Sequence, residues 1–303
     1  MKVDYLLFYF LTLLCYNGVG DNMKKKIVCG AIFAVLICAL SYYIYSINDS
    51  YVMKEIIITN GDNQKIYGEL YKPRTNKKLP LVIYSHGLGA TFRAGIDYGK
   101  KFAEYGIATF TYDFRGGSER SRSEGETSNM SFLTEMNDLE VVLETINKWD
   151  FVDKNNIILM GSSQGGAISA LISVNHQDDL KGVVLLYPAL SIPSVIHNWY
   201  STIEEIPDEV KMNDNITVGP RYFMDIWDMD VYSMIQNDNN KILIIQGSDD
   251  KLVSVEHSKK INDIYPNSKL KIIEGAGHGF EDKEFDEAIE YIVEFFKELN
   301  VIS

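Results

Sequence analysis

Gly161-Ser162-Ser163-Gln164-Gly165 sets a serine between two glycines, where an apolar run (156–160) gives way to small and apolar residues (165–172). The spacing predicts a strand, a sharp turn and a helix. In that context a G-x-S-x-G segment lifts its central serine out of a sheet as a nucleophile. A turn so tight leaves no space for side chains beside the serine, and Gly161 and Gly165 meet that demand. Ser163 is therefore the candidate nucleophile. The N–H of Gln164 falls at the start of the following helix, where aligned peptide dipoles favour negative charge, so it is a candidate donor to an oxyanion.

A serine hydroxyl attacks poorly at neutral pH unless a base lies within hydrogen-bond reach and a third group orients that base. The chain has five histidines. His278 lies in a glycine-rich loop, Gly275-Ala-Gly-His-Gly-Phe280, after the last predicted strand, and is the candidate base. His86, His176, His197 and His257 read as structural or surface residues. The acid is sought in residues 247–253, where Asp249 and Asp250 are neighbours. A G-x-x-D-x-x-V spacing, with Val253 anchoring the loop in the core, favours Asp250. A second oxyanion donor is expected from His86-Gly87-Leu88-Gly89, whose glycines let the backbone turn and whose Leu88 N–H would pair with that of Gln164.

These residues need a scaffold, and the pattern supplies one. Residues 54–60 and 66–71 read as an antiparallel hairpin around Gly61-Asp62-Asn63. Short apolar strands follow at 79–85, 107–112, 156–160, 182–187, 241–246 and 270–273. Helical stretches alternate with them at about 98–105, 133–149, 165–172, 255–265 and 281–299. Repeated strand–helix units of this kind imply an α/β fold with a mostly parallel, doubly wound sheet. Residues 188–240 interrupt the rhythm, are too long for an ordinary loop and carry helical patches, so a helical cap insertion is expected there. Its aromatics, Trp199, Tyr200, Tyr222, Phe223, Trp227 and Tyr232, either cover an acyl pocket or bury the cap's own small core. Tyr222 is the candidate substrate contact among them.

The 303 residues suit one large catalytic domain, residues 47–303, behind an N-terminal segment, residues 1–46. A net charge of −13 argues against nucleic acid as a partner. Lys24-Lys-Lys26 precedes an uncharged apolar run, residues 27–46, about long enough to span a bilayer. Lysines before the run and none just after it predict a single-pass anchor in the cell membrane with the catalytic domain outside. Ala39-Leu40-Ser41 resembles a signal cleavage site, so secretion after cleavage is the alternative. Residues 1–22 read as an upstream extension ahead of Met23. All three cysteines, Cys15, Cys29 and Cys38, fall in this region, which leaves the catalytic part without a disulfide, a thiolate metal site or a cysteine nucleophile.

Over residues 54–299 the chain resembles the α/β-hydrolase superfamily and, within it, bacterial cinnamoyl (feruloyl) esterases. The resemblance rests on His86-Gly87-Leu88-Gly89, on Asp113-Phe-Arg-Gly-Gly-Ser118 and on Gly161-Ser-Ser-Gln-Gly-Gly166. It extends to Gly247-Ser-Asp-Asp-Lys-Leu-Val-Ser254 and Ile273-Glu-Gly-Ala-Gly-His-Gly-Phe280. Ser162 stands where those esterases carry a histidine, and Leu88 where they carry an aromatic. The resemblance implies the chain order Ser163, Asp250, His278 for the catalytic residues, with Leu88 and Gln164 as oxyanion donors. It also implies hydrolysis of small carboxylic esters through an acyl-enzyme, with neither metal nor organic cofactor. The alternatives are a short-chain esterase or monoacylglycerol lipase, a peptidase of the prolyl-oligopeptidase kind, and a non-catalytic binding member of the fold.

Overall fold

The structure is a computed structural model that describes residues 30, 33–38, 41 and 51–302. The chain divides into two compact units, Met1–Ser50 and Tyr51–Ser303. Among the described residues no helix is long and apolar enough to cross a membrane. Most of the predicted span, 27–46, and the Met23 start lie outside the described residues, and Cys38 is exposed.

The second unit opens with a hairpin of β1 (Tyr51–Thr59) and β2 (Lys65–Pro73), joined through a turn in which the Asn60 side chain accepts from Asp62 N–H and Gln64 N–H. The remaining strands of the sheet are β3 (Leu79–Ser85), β4 (Ala108–Tyr112), β5 (Val152–Ser162), β6 (Gly182–Leu186), β9 (Ile242–Gly247) and β10 (Ser268–Ile273). Eight strands lie in the order β1-β2-β4-β3-β5-β6-β9-β10, with β2 antiparallel to both its neighbours and all other pairs parallel. The inner strands are buried along almost their whole length because helices cover both faces, hence their apolar runs.

Alternation along those strands separates two cores. One face presents Ile83, Phe110, Leu159, Leu185 and Ile244 to α2 (Phe132–Ile146) and α3 (Gln164–Ser173). The other presents Val82, Met160, Val184 and Ile245 to α1 (Ile96–Glu104) and to α8 (Asp282–Glu298), which closes the chain. A capping box starts α2: Ser131 Oγ accepts from Thr134 N–H, and Thr134 Oγ1 accepts from Ser131 N–H at 2.9 Å. The remaining long helix, α7 (Val255–Ile264), covers β9 and β10.

The inserted segment is not purely helical. It holds three one-turn helices, α4 (Ile192–Ile196), α5 (Pro220–Met224) and α6 (Val231–Ile235). It also contains a hairpin of β7 (Val210–Asn213) and β8 (Ile216–Val218) that the sequence pattern did not reveal. A four-residue and a three-residue strand are too short to show a period of two.

Candidate active site

β5 runs to Ser162, and α3 begins at Gln164, so the whole reversal falls on one residue. Ser163 accordingly takes φ 52° and ψ −120°, a conformation that L residues rarely adopt. Its amide donates to Leu186 O at 2.9 Å, and its carbonyl accepts from Ala189 N–H at 2.9 Å. The flanking glycines are sterically required: a Cβ on Gly161 would lie 2.2 Å from Gly165 O, and one on Gly165 would lie 2.3 Å from Ser85 O. The half-buried serine thus stands at the C-terminal edge of the sheet.

His278 reaches it from the loop after β10. Its Nε2 lies 2.9 Å from Ser163 Oγ and its Nδ1 lies 2.8 Å from Asp250 Oδ2. Gly275 and Gly279 in this loop have φ of 77° and 123°, which only glycine adopts without strain. The Asp250 carboxylate is fully buried and every one of its partners donates. Oδ1 accepts from Leu252 N–H and Val253 N–H, and Oδ2 accepts from Gln246 Nε2 at 2.9 Å as well as from His278. An acceptor-only carboxylate at Nδ1 keeps the proton there and leaves Nε2 to accept from the serine. Gln246 is itself held by Ser258 Oγ at 2.6 Å. Asp249 is exposed and has no part in this arrangement.

Leu88 lies in the loop after β3, beside the serine; a Cβ on Gly87 would approach Ser163 Cβ at 3.0 Å. His86 sets the orientation of the Gly87–Leu88 peptide. Phe114 N–H donates to its Nε2 at 3.2 Å, so Nδ1 carries the proton and donates to Gly87 O at 2.8 Å. In a trans peptide the carbonyl and the next N–H point opposite ways, so holding Gly87 O toward His86 turns Leu88 N–H away from it. Complete burial lowers the His86 pKa and keeps the ring neutral, as this pair of bonds requires. Asp113 braces the same loop: its carboxylate accepts from Phe92 N–H and Arg122 N–H, each at 2.6 Å. From the inserted segment, Asn213 Nδ2 donates to Leu88 O at 3.4 Å.

Gln164 places its backbone at the start of α3 and sends its side chain into the core. Its Nε2 donates to Glu135 Oε2 at 2.8 Å, and its Oε1 accepts from Tyr222 Oη at 2.7 Å. Burial pushes the Glu135 carboxyl up to about 8, and nearby Asp138 pushes the same way. Asp138 is paired with Arg115, at 2.5 Å from Nε, yet burial raises it to about 6. Tyr222 is fully buried on this network, so its expected contact with substrate is corrected: the phenol serves Gln164 from behind and does not face the serine.

The cavity that opens beside Ser163, about 390 Å³, is lined by Leu88, Tyr84, Tyr98, Tyr187, His278 and Phe280 among others. Every aromatic in that wall comes from the sheet and its connections and none from the insertion. Phe223 is buried in the core, Trp199 is exposed, and Trp227 packs on His197. These cap aromatics therefore do not line this cavity. Sequence reasoning missed Tyr84, Tyr187 and Glu135. An aromatic at a strand end reads as core, and a single carboxylate on a helix reads as surface. Of the other histidines, His176 meets Glu140 and Asp179, and His257 meets Tyr232 Oη at 3.0 Å, all away from the serine. Among the described residues no group of three or more His, Cys, Asp or Glu is arranged to hold a metal.

Comparison with known proteins agrees with this geometry. The structure of Est1E from Butyrivibrio proteoclasticus with bound ferulic acid superposes with a TM-score of 0.73. Its sequence is 26% identical, and the match covers 80% of this chain and 98% of that one. Mouse monoglyceride lipase is 30% identical over 132 residues, 43% of this chain and 42% of the lipase. Proline iminopeptidase of Saccharolobus solfataricus is 28% identical over 180 residues, 57% of this chain and 53% of the peptidase. The chain spans about half the length of these two curated relatives. Residues 76–239, more than half of the chain, match the Hydrolase_4 family, described as serine aminopeptidase, S33. Fold and match together show that the chain belongs to the Hydrolase_4 family, within the α/β-hydrolase fold.

Proposed function

We propose that the protein hydrolyses small carboxylic esters through an acyl-enzyme, with hydroxycinnamoyl (feruloyl-type) esters as the first substrates to try. The observation that carries the reading is the chain of contacts from Ser163 Oγ through His278 to Asp250, at 2.9 and 2.8 Å. In this scheme His278 Nε2 takes the Ser163 proton as Oγ bonds to the ester carbonyl carbon. Leu88 N–H and Gln164 N–H hold the negative oxygen of the tetrahedral intermediate. The imidazolium, steadied by Asp250, then returns that proton to the departing alkoxide, and the carbonyl re-forms on Ser163. Water enters with His278 as base, and the acid leaves with Ser163 restored. No step calls for a cofactor.

The choice of ester over peptide is supported by the likeness to Est1E, which covers nearly all of that chain at 26% identity. We further place the catalytic unit outside the cell membrane behind residues 27–46, on the basis of Lys24–Lys26 and the uncharged run that follows. The kinetic test compares kcat/KM for methyl ferulate, p-nitrophenyl butyrate and a proline-terminated peptide amide, with Ser163→Ala as control. Ester turnover that exceeds amide turnover supports the reading; faster amide cleavage replaces it with a peptidase. Protease added to intact cells tests the placement: digestion of the catalytic unit supports it, and full protection contradicts it.

A further inference from the structure

Resting on the assignment of Ser163 as nucleophile and His278 as base, we propose that the cavity beside Ser163 receives the leaving alcohol, and that it suits an uncharged, ring-bearing one. The base that takes the serine proton must hand it to the leaving oxygen, so the leaving group has to lie against His278 Nε2. The cavity runs from the Gly87–Leu88 loop to that side. Its wall includes His278 and the next three residues, Gly279, Phe280 and Glu281, together with Tyr187, whose ring packs edge-on against the His278 ring at 4.8 Å. The inserted segment contributes nothing to it, and the proposal puts the acyl group on the other side of the serine.

The chemistry of the wall selects the alcohol. Tyr84 and Tyr98 stack at 5.5 Å, and Tyr187 meets Phe280 edge-on at 5.0 Å, so the aromatic part of the wall is fixed in place. Tyr84 Oη donates to Ser162 Oγ at 3.0 Å, so this part of the wall is tied down before anything binds. At about 390 Å³ the space is near the lower end of ligand sites, room for a substituted ring and not for a long chain. Exposed Glu281 lines the cavity, and among the described residues no lysine or arginine does, so an anionic alcohol meets repulsion there.

Two ester series on the full chain test this. In one the alcohol varies (methyl, benzyl and 4-carboxybenzyl butyrate); in the other the acyl group varies (methyl butyrate and methyl cinnamate). Benzyl in place of phenyl esters keeps the leaving-group basicity close to that of ordinary alcohols. Ala94, exposed on the cavity rim, is replaced by phenylalanine to fill the space without touching the core. Ala94→Phe is expected to lower the benzyl-to-methyl ratio of kcat/KM at least tenfold, with the cinnamate-to-butyrate ratio moved less than twofold. Glu281→Gln is expected to raise the 4-carboxybenzyl-to-benzyl ratio at least threefold. A fall confined to the cinnamate ratio would make the cavity the acyl site and overturn the proposal. So would no change in the benzyl ratio, and an unmoved charge ratio would overturn the selection against anions. Saturation-transfer NMR with benzyl alcohol reads the cavity even if no ester is cleaved. Transfer to the wild type that is lost in Ala94→Phe supports the subsite, and equal or absent transfer in both overturns it. Absence of all ester turnover would instead count against the esterase reading.

Discussion

Tyr222→Phe removes a single hydroxyl from a fully buried position, and the structure fixes what that does. The phenol donates to Gln164 Oε1 at 2.7 Å, while Gln164 Nε2 is held by Glu135 at 2.8 Å. Without the hydroxyl the amide oxygen has lost its donor and has no water to turn to, because Gln164, Glu135 and Tyr222 are all at most 1% exposed. An acceptor stranded this way costs about 1–3 kcal/mol. For a unit of this size each kcal/mol is worth roughly 2–4 °C, so Tm is expected to fall by roughly 2–12 °C. Because the ring lies behind the oxyanion residue and away from the cavity, KM for any ester should stay within about twofold, a shift too small to signal a lost substrate contact. Any catalytic loss should appear in kcat, through a loosened Gln164. Calorimetry and steady-state kinetics on the same preparation decide the matter. A KM raised fivefold or more with Tm unchanged would show that the phenol touches substrate and that this reasoning is wrong.

Three more perturbations follow from the same contacts. Burial raises the Glu135 carboxyl from 4.5 to about 8, so the folded state resists an ionisation that the unfolded chain undergoes. Its contribution to stability is intact below pH 4.5 and is lost as pH rises toward 8, a loss on the order of a few kcal/mol. Glu135→Gln should therefore gain in Tm relative to wild type as pH is raised from 5 to 8; a Tm difference independent of pH would contradict the assignment. Asp250→Asn should lower kcat by about 10⁴ through the wrong His278 tautomer, while Asp249→Asn, on an exposed neighbour, should stay within about twofold. Equal losses in the two would undo the choice between them. His86→Phe removes the bond that turns the Gly87–Leu88 peptide, and kcat should fall by roughly 10–10² with little change in KM. An unaltered kcat would mean the loop holds its shape without the imidazole.

The contrast between what the sequence disclosed and what it withheld has a physical basis. Gly161, Gly165, Gly275 and Gly279 were legible because their demands are local: a close backbone approach or a positive φ leaves glycine as the tolerated residue. The choice of Asp250 over Asp249 followed from Val253, which is buried and whose N–H bonds the carboxylate. Strand–helix alternation gave the parallel sheet for the same reason, since burial on both faces writes apolar runs into the chain. Gln164, by contrast, meets Glu135 and Tyr222 across 29 and 58 residues, and no periodicity encodes such a meeting. The side of the serine on which the cavity opens depends on how Tyr187, at φ 37°, leaves β6 and turns its ring to His278. The aromatic richness of the insertion pointed elsewhere. Its rings pack on one another and on the core, as in the contact of Tyr200 with Phe223 at 5.4 Å.

The central claim is that Ser163 is a nucleophile activated by His278, and a fluorophosphonate reads that directly because it bonds covalently to an activated serine. Intact-mass and peptide-mapping measurements on the full chain should find one adduct, on Ser163. It should be absent in Ser163→Ala and should form at least about a thousandfold more slowly in His278→Ala. A protein that stays unlabelled, or an adduct that maps to another serine, would contradict the account.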